Sequence, residues 1–133
     1  EAKQLGIQDH VRFLGYRHDV PELCRCSDLF VFMTLREGLP VALMEAMATA
    51  TPAVSTDCPC GGPRTLIQSE KQGKLVPVGD TEFLAQAMDE LLADDARRNA
   101  MGLEARKRAE AFCDQAVYEQ WEAYFLQILR EQP

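Results

Sequence analysis

Four short apolar runs alternate along the chain with stretches whose apolar residues recur at helical spacing. The runs, Val11–Leu14, Leu29–Met33, Ala53–Thr56 and Lys74–Val78, lack clean polar alternation, which predicts strands buried on both faces. Between the first two, Asp19-Val20-Pro21-Glu22-Leu23 reads as a helix start with a capping acid. Residues Pro40–Thr49 predict a second helix, and Pro63–Ser69 a shorter third that turns at Gly73 into the last run. From Asp80 the pattern changes. Phe83, Leu84, Ala87, Met88, Leu91 and Leu92 fall close to helical spacing, and Asp94–Phe112 and Ala116–Leu129 read as two further helices. Strand–helix alternation followed by helices predicts an α/β fold, a right-handed parallel sheet flanked by helices. Ligands on such sheets bind beyond the carboxyl ends of the strands. Those ends are Gly15–Arg17, Thr34–Leu39, Asp57–Gly62 and Pro77–Asp80, four loops expected to converge.

Composition narrows the function classes. A length of 133 residues suits one core, and no apolar stretch approaches the ~20 residues that span a bilayer. The net charge of −7 argues against nucleic acid, which rewards clustered cations. The acid excess sits mainly in residues 81–133, with 6 basic and 11 acidic side chains against 8 and 10 before them, and reads as a solvated helical face. Two C-x-C pairs, Cys24/Cys26 and Cys58/Cys60, and a single Cys113 fit neither zinc spacing nor a secreted disulfide framework, so reduced thiols and no metal are expected. The chain lacks a starting Met and a signal-peptide pattern, and Glu1–Leu5 read as the end of a helix stopped by Gly6. It is therefore expected to begin inside something larger.

The chemistry concentrates in residues 37–45, Glu-Gly-Leu-Pro-Val-Ala-Leu-Met-Glu. Pro40 suits the first helical position, and the amides around Gly38 and Val41, with a helix dipole behind them, make a seat for phosphate. Two acids beside a phosphate seat need another partner, and sugar hydroxyls supply one. A carboxylate can accept two hydroxyl hydrogen bonds, stronger than those to a neutral acceptor.

With its neighbours, this segment resembles the C-terminal domain of retaining GT-B glycosyltransferases, family 4. The match runs from Val11 to about Phe112, through Val-Arg-Phe-Leu-Gly (11–15), Ser-Asp-Leu-Phe-Val (27–31), Glu-Gly-Leu-Pro…Glu-Ala-Met-Ala (37–48), Thr-Pro-Ala-Val-Ser-Thr-Asp (51–57) and Gly-Lys-Leu-Val-Pro-Val-Gly-Asp (73–80). The resemblance implies a Rossmann-like sheet, the incomplete C-terminal half of a GT-B fold. Residues 1–113 would form a nucleotide-sugar-binding domain lacking its first strand and phosphate loop, and 114–133 a C-terminal helix. It implies that Glu45 takes the ribose hydroxyls and that Glu37, the catalytic position, faces the transferred sugar. Gly38 and Leu39 would offer amides to the diphosphate and sugar, and Tyr16 and Arg17 would lie against the nucleobase.

The implied activity is transfer of a sugar from a nucleoside-diphosphate donor to a hydroxyl with retention, in polysaccharide or glycolipid synthesis. No cofactor beyond the donor is expected. The partner would be an N-terminal acceptor-binding domain, without which this segment alone is expected to be inactive. The expected location is cytoplasmic, with peripheral attachment to the inner face of the membrane through that domain as an option. The alternative is a non-catalytic nucleotide-sugar-binding or interaction module, and a flavodoxin-like domain is a more distant rival.

Two positions depart from the family pattern: Ala50, where Gly is usual at a helix end, and Thr65, where Glu is usual. If Ala50 is left-handed, it costs ~1 kcal/mol more than Gly. Arg36 reads as a solvated neighbour of the site, and Arg64 as either a site cation or a surface ion-pair partner. His10 and His18 read as turn residues, and Asp28 as ordering a strand start. Trp121, Tyr124 and Phe125 share one helical face and are expected to pack on the domain or on a partner domain.

Overall fold

The computed structural model describes residues 1–131. Three parallel strands, β1 (Phe30–Phe32), β2 (Ala53–Thr56) and β3 (Lys74–Val76), form a sheet in the order β1-β2-β3. Phe30 is in register with Ala53, and Val54 with Lys74. Helices α1 (Val20–Arg25), α2 (Val41–Ala48) and α3 (Gly62–Leu66) alternate with the strands, and α4 (Thr81–Leu92), α5 (Asp95–Ala109) and α6 (Asp114–Glu131) follow. This is the α/β class expected from the hydrophobic pattern.

The sheet is covered on both faces, which is why its strands carry little polar alternation. Ala53 joins Leu43, Met47, Leu66, Ile67 and Ala105 in one cluster, whereas its neighbour Val54 joins Val76, Ala87, Leu91 and Met101 in the other. That division is the two-residue pleat of a strand. Each fully buried aliphatic side chain contributes roughly 1.5–3 kcal/mol.

Four sequence expectations need correction. Val11–Leu14 forms no strand. Its backbone finds no ladder partner among the described residues, and Phe13 stands 88% exposed. A β-prone run without a neighbouring strand has nothing to bond to. The last strand ends at Val76 rather than Val78, because Pro77 has no N–H for a ladder. Pro40 is the extended residue before α2 (φ −77°, ψ 106°), not its first turn. Finally, no residue of α6 is buried. Trp121 stacks on Phe125 with ring centres 5.5 Å apart, but both remain more than half exposed, so they do not pack on this domain.

Two left-handed residues bear on the expected helix ends, although residues 2–6 form turns and no helix precedes Gly6 among the described residues. Gly6 is left-handed (φ +70°) after one turn closed by Leu5 N–H to Glu1 O. Ala50 is left-handed as well (φ +60°) and ends α2. Around it, Ala50 N–H bonds Met47 O and Thr51 N–H bonds Ala46 O, both at 3.0 Å, the paired bonds of a Schellman close.

Candidate functional site

The β1-to-α2 loop is tied down before it reaches its acids. Thr34 N–H donates to Thr56 Oγ1 (2.9 Å), and that hydroxyl donates back to Thr34 O (2.7 Å). Thr34 Oγ1 in turn donates to Arg36 O (3.0 Å). Glu37 follows, half-buried, and Gly38 and Leu39 are exposed. Pro40 is buried and leads into α2. The first intrahelical bond is Met44 N–H to Pro40 O, so the amides of Val41, Ala42 and Leu43 begin the helix without backbone acceptors. No side chain caps this end, and no acid occupies the first turn. Two other helices of the chain are closed at the same place: Asp80 accepts from Phe83 N–H, and Asp94 from Arg97 N–H, each at 2.9 Å.

Glu45 lies one turn into α2, exposed to solvent. It faces α1 closely enough to act on Cys24. Burial pushes the Cys24 thiol pKa up, and the Glu45 charge adds to the effect. Neither Glu37 nor Glu45 is paired with a cation among the described residues, so both carboxylates keep their acceptor capacity. Glu37, Gly38, Leu39 and Glu45 therefore belong to one loop–helix unit, with free amides between the acids.

The neighbouring loops meet this unit unequally. The loop after β2 touches it, since Gly62 packs directly on the Gly38 carbonyl. The loop after β3 is linked to the β2 loop through Asp57 N–H to Val76 O (2.8 Å). A cavity of about 520 Å³ lined by Asp57, Pro59, Pro77, Val78 and Phe83 lies there. The first loop stays apart. Tyr16 is 87% exposed and meets the edge of His18, at 4.9 Å between ring centres. Arg17 is held by Asp19, which raises the Arg17 pKa while Arg17 lowers that of Asp19. No hydrogen bond joins Tyr16 or Arg17 to the Glu37–Glu45 unit among the described residues. Arg64 takes its surface option, paired with Asp57. All five cysteines are free, and no cluster of metal-binding side chains occurs among the described residues.

Residues 1–108 match the family described as glycosyl transferases group 1. The chain belongs to that family. Two curated relatives of this glycosyltransferase family are N-acetyl-alpha-D-glucosaminyl L-malate synthase of Bacillus anthracis and the lipopolysaccharide core biosynthesis glycosyltransferase LpsE of Rhizobium meliloti. The first is 35% identical over 98% of this chain and 34% of its own length. The second is 30% identical over 99% of this chain and 37% of its own length. Among solved structures, HepE of Anabaena in complex with UDP-glucose superimposes with a TM-score of 0.83. It is 26% identical, covering 95% of this chain and 34% of the HepE chain. The chain thus spans about a third of the length of these relatives, and its parallel sheet with flanking helices matches part of their GT-B glycosyltransferase structures. No helix among the described residues is long and apolar enough to cross a membrane.

Sequence pattern does not single out Gly62, which meets this unit from the loop after β2. A Gly-Gly-Pro turn after the third apolar run is visible, but not what Gly62 packs against.

Proposed function

We propose that this chain is the donor-binding part of a retaining glycosyltransferase of family 4 that uses a nucleoside-diphosphate sugar. The observation that carries the reading is the pair of unpaired carboxylates, Glu37 and Glu45, flanking the free amides at the start of α2 in a member of this family. The relative crystallised with UDP-glucose supports a uridine donor. The relative named for lipopolysaccharide core synthesis supports a polysaccharide or glycolipid product.

In this reading Glu45 accepts the two vicinal ribose hydroxyls, and Glu37 accepts hydroxyls of the transferred sugar. When the sugar leaves, negative charge collects on the diphosphate. The amides of Gly38, Leu39 and the first turn of α2 meet that charge as fixed dipoles already in place. The leaving phosphate is then positioned to take the proton of the incoming hydroxyl on the same face, which gives retention. Tyr16 and Arg17 supply the base-facing segment, Arg17 being exchangeable from its exposed pair with Asp19. The acceptor is held by the remainder of the protein, which is also where membrane attachment would reside, and residues 1–131 alone bind donor without transferring sugar.

Calorimetric titration of the intact enzyme with UDP tests the ribose role. Glu45→Gln exchanges a charged acceptor for a neutral one, and such bonds contribute about 1.5–3 kcal/mol, so UDP affinity should fall by one to two orders of magnitude. Unchanged affinity in a folded variant would remove Glu45 from the donor site. Glu37→Gln should leave UDP binding intact and lower the transfer rate.

A further inference from the structure

Gly62 begins α3 and is buried against the β1-to-α2 loop. A Cβ built there would overlap the Gly38 carbonyl, well inside the 3.0 Å that real Cβ atoms keep, and would also crowd Pro40 Cδ. The approach follows two successive left-handed residues, Cys60 (φ +78°) and Gly61 (φ +73°). For Cys60 that conformation is unfavourable and persists only where the surroundings over-determine it. The chain therefore spends strain to bring a residue without a side chain onto one carbonyl.

The consequence lies on the other side of the peptide. Every described peptide bond is trans, so the Gly38 carbonyl and the Leu39 N–H point in opposite directions across one plane. With the carbonyl turned onto Gly62, the Leu39 N–H is turned away from α3, and it has no acceptor among the described residues. We propose that Gly62 is a positioning residue of the donor seat: it locks the Gly38–Leu39 peptide with its carbonyl inward and its amide presented to the diphosphate.

The inference rests on the donor reading above. A methyl at position 62 would force the carbonyl out. Gly38 has no Cβ to resist rotation, so the peptide turns and offers an acceptor oxygen where the diphosphate needs a donor. Glu45, on α2, is outside that rotation. Loss should therefore fall on phosphate recognition and spare nucleoside recognition.

The test uses the full-length protein, titrated with UDP and with uridine, for the wild type and Gly62→Ala. The expected result is a UDP dissociation constant raised at least tenfold, with that for uridine changed less than twofold. UDP binding left intact by Gly62→Ala overturns this inference alone, as does parallel loss of UDP and uridine in a variant that keeps the wild-type melting profile. A wild type that binds no UDP overturns the donor reading and this inference with it. A second measurement needs no variant: on adding inorganic pyrophosphate to ¹⁵N-labelled wild type, the Leu39 amide resonance should shift. A Leu39 resonance that stays fixed while that of Val41 moves overturns the proposal even if Gly62→Ala fails to fold.

Discussion

At the C-terminal end of α2, Gly102 of α5 packs against the Ala50 carbonyl, and near the N-terminal end Gly62 of α3 packs against the Gly38 carbonyl. Each contact excludes a Cβ, so the helix is gripped at both ends by glycine. The ends are nevertheless finished in opposite ways. At the back, Thr49 Oγ1 reaches Ala46 O (2.8 Å), Glu45 O (3.1 Å) and Thr51 Oγ1 (3.0 Å), and the Schellman bonds around Ala50 use up further carbonyls. At the front, no side chain caps the helix and the first amides are left open. Closing an end stabilises a fold, whereas leaving one open keeps partial positive charge available for a ligand. On the donor reading proposed above, the difference separates a structural terminus from a binding one within a single eight-residue helix.

Breaking the back end should have the largest effect on stability. Gly102→Ala introduces overlap with backbone, at a cost of about 3 kcal/mol, offset by ~1 kcal/mol of helix propensity. Chemical denaturation should show a net loss of about 2 kcal/mol, while the UDP affinity of the folded fraction stays at the wild-type value. If binding falls with stability, the two ends are not separable. Substitutions at the front, Glu45→Gln and Gly62→Ala, should show the converse pattern, with affinity lost before stability.

A smaller change sharpens the comparison at Ala50. Ala50→Gly relieves a left-handed alanine and should raise stability by about 1 kcal/mol in the same denaturation experiment, with donor binding unaltered. A destabilised variant would show that the Ala50 methyl contributes packing that outweighs its strain. The smallest effect concerns the thiol behind Glu45. The Cys24 pKa is raised in the folded protein, by burial first and then by Glu45. A raised folded value means the contribution is complete below the unfolded thiol pKa and is lost as pH rises through the folded one. Stability should therefore decline slightly across that alkaline window, and Cys24→Ala should flatten the decline in a pH series of melts.

Much of this architecture was legible from side-chain pattern. The runs at 29–33, 53–56 and 74–78 became the three strands within one or two residues, because burial on both faces leaves a continuous apolar signature. The helix starts expected at Asp80 and Asp94 are present and are capped by those acids, a local bond between near neighbours, whereas Asp19, expected to cap α1, makes no side-chain cap and pairs with Arg17 instead. Val11–Leu14 carries the same signature and is not a strand, because apolar residues show a preference for pairing but cannot supply the neighbour. Arg64 suits two roles by sequence, and only the fold places Asp57 within its reach.

The sequence by itself determined the Glu37–Glu45 unit: two acids eight positions apart are joined by a Gly-Leu-Pro turn into a helix, so local chain connectivity keeps them together. It also marked Ala50 as a position that would be strained if left-handed, and the structure shows that it is. The tertiary structure alone decided which way the peptides of that unit face. Gly62 is 24 positions from Gly38 and Gly102 is 52 from Ala50, and a contact between a missing side chain and a distant carbonyl leaves no mark in local pattern. Local bonds fix which groups are present at the site, and long-range exclusion fixes where they point.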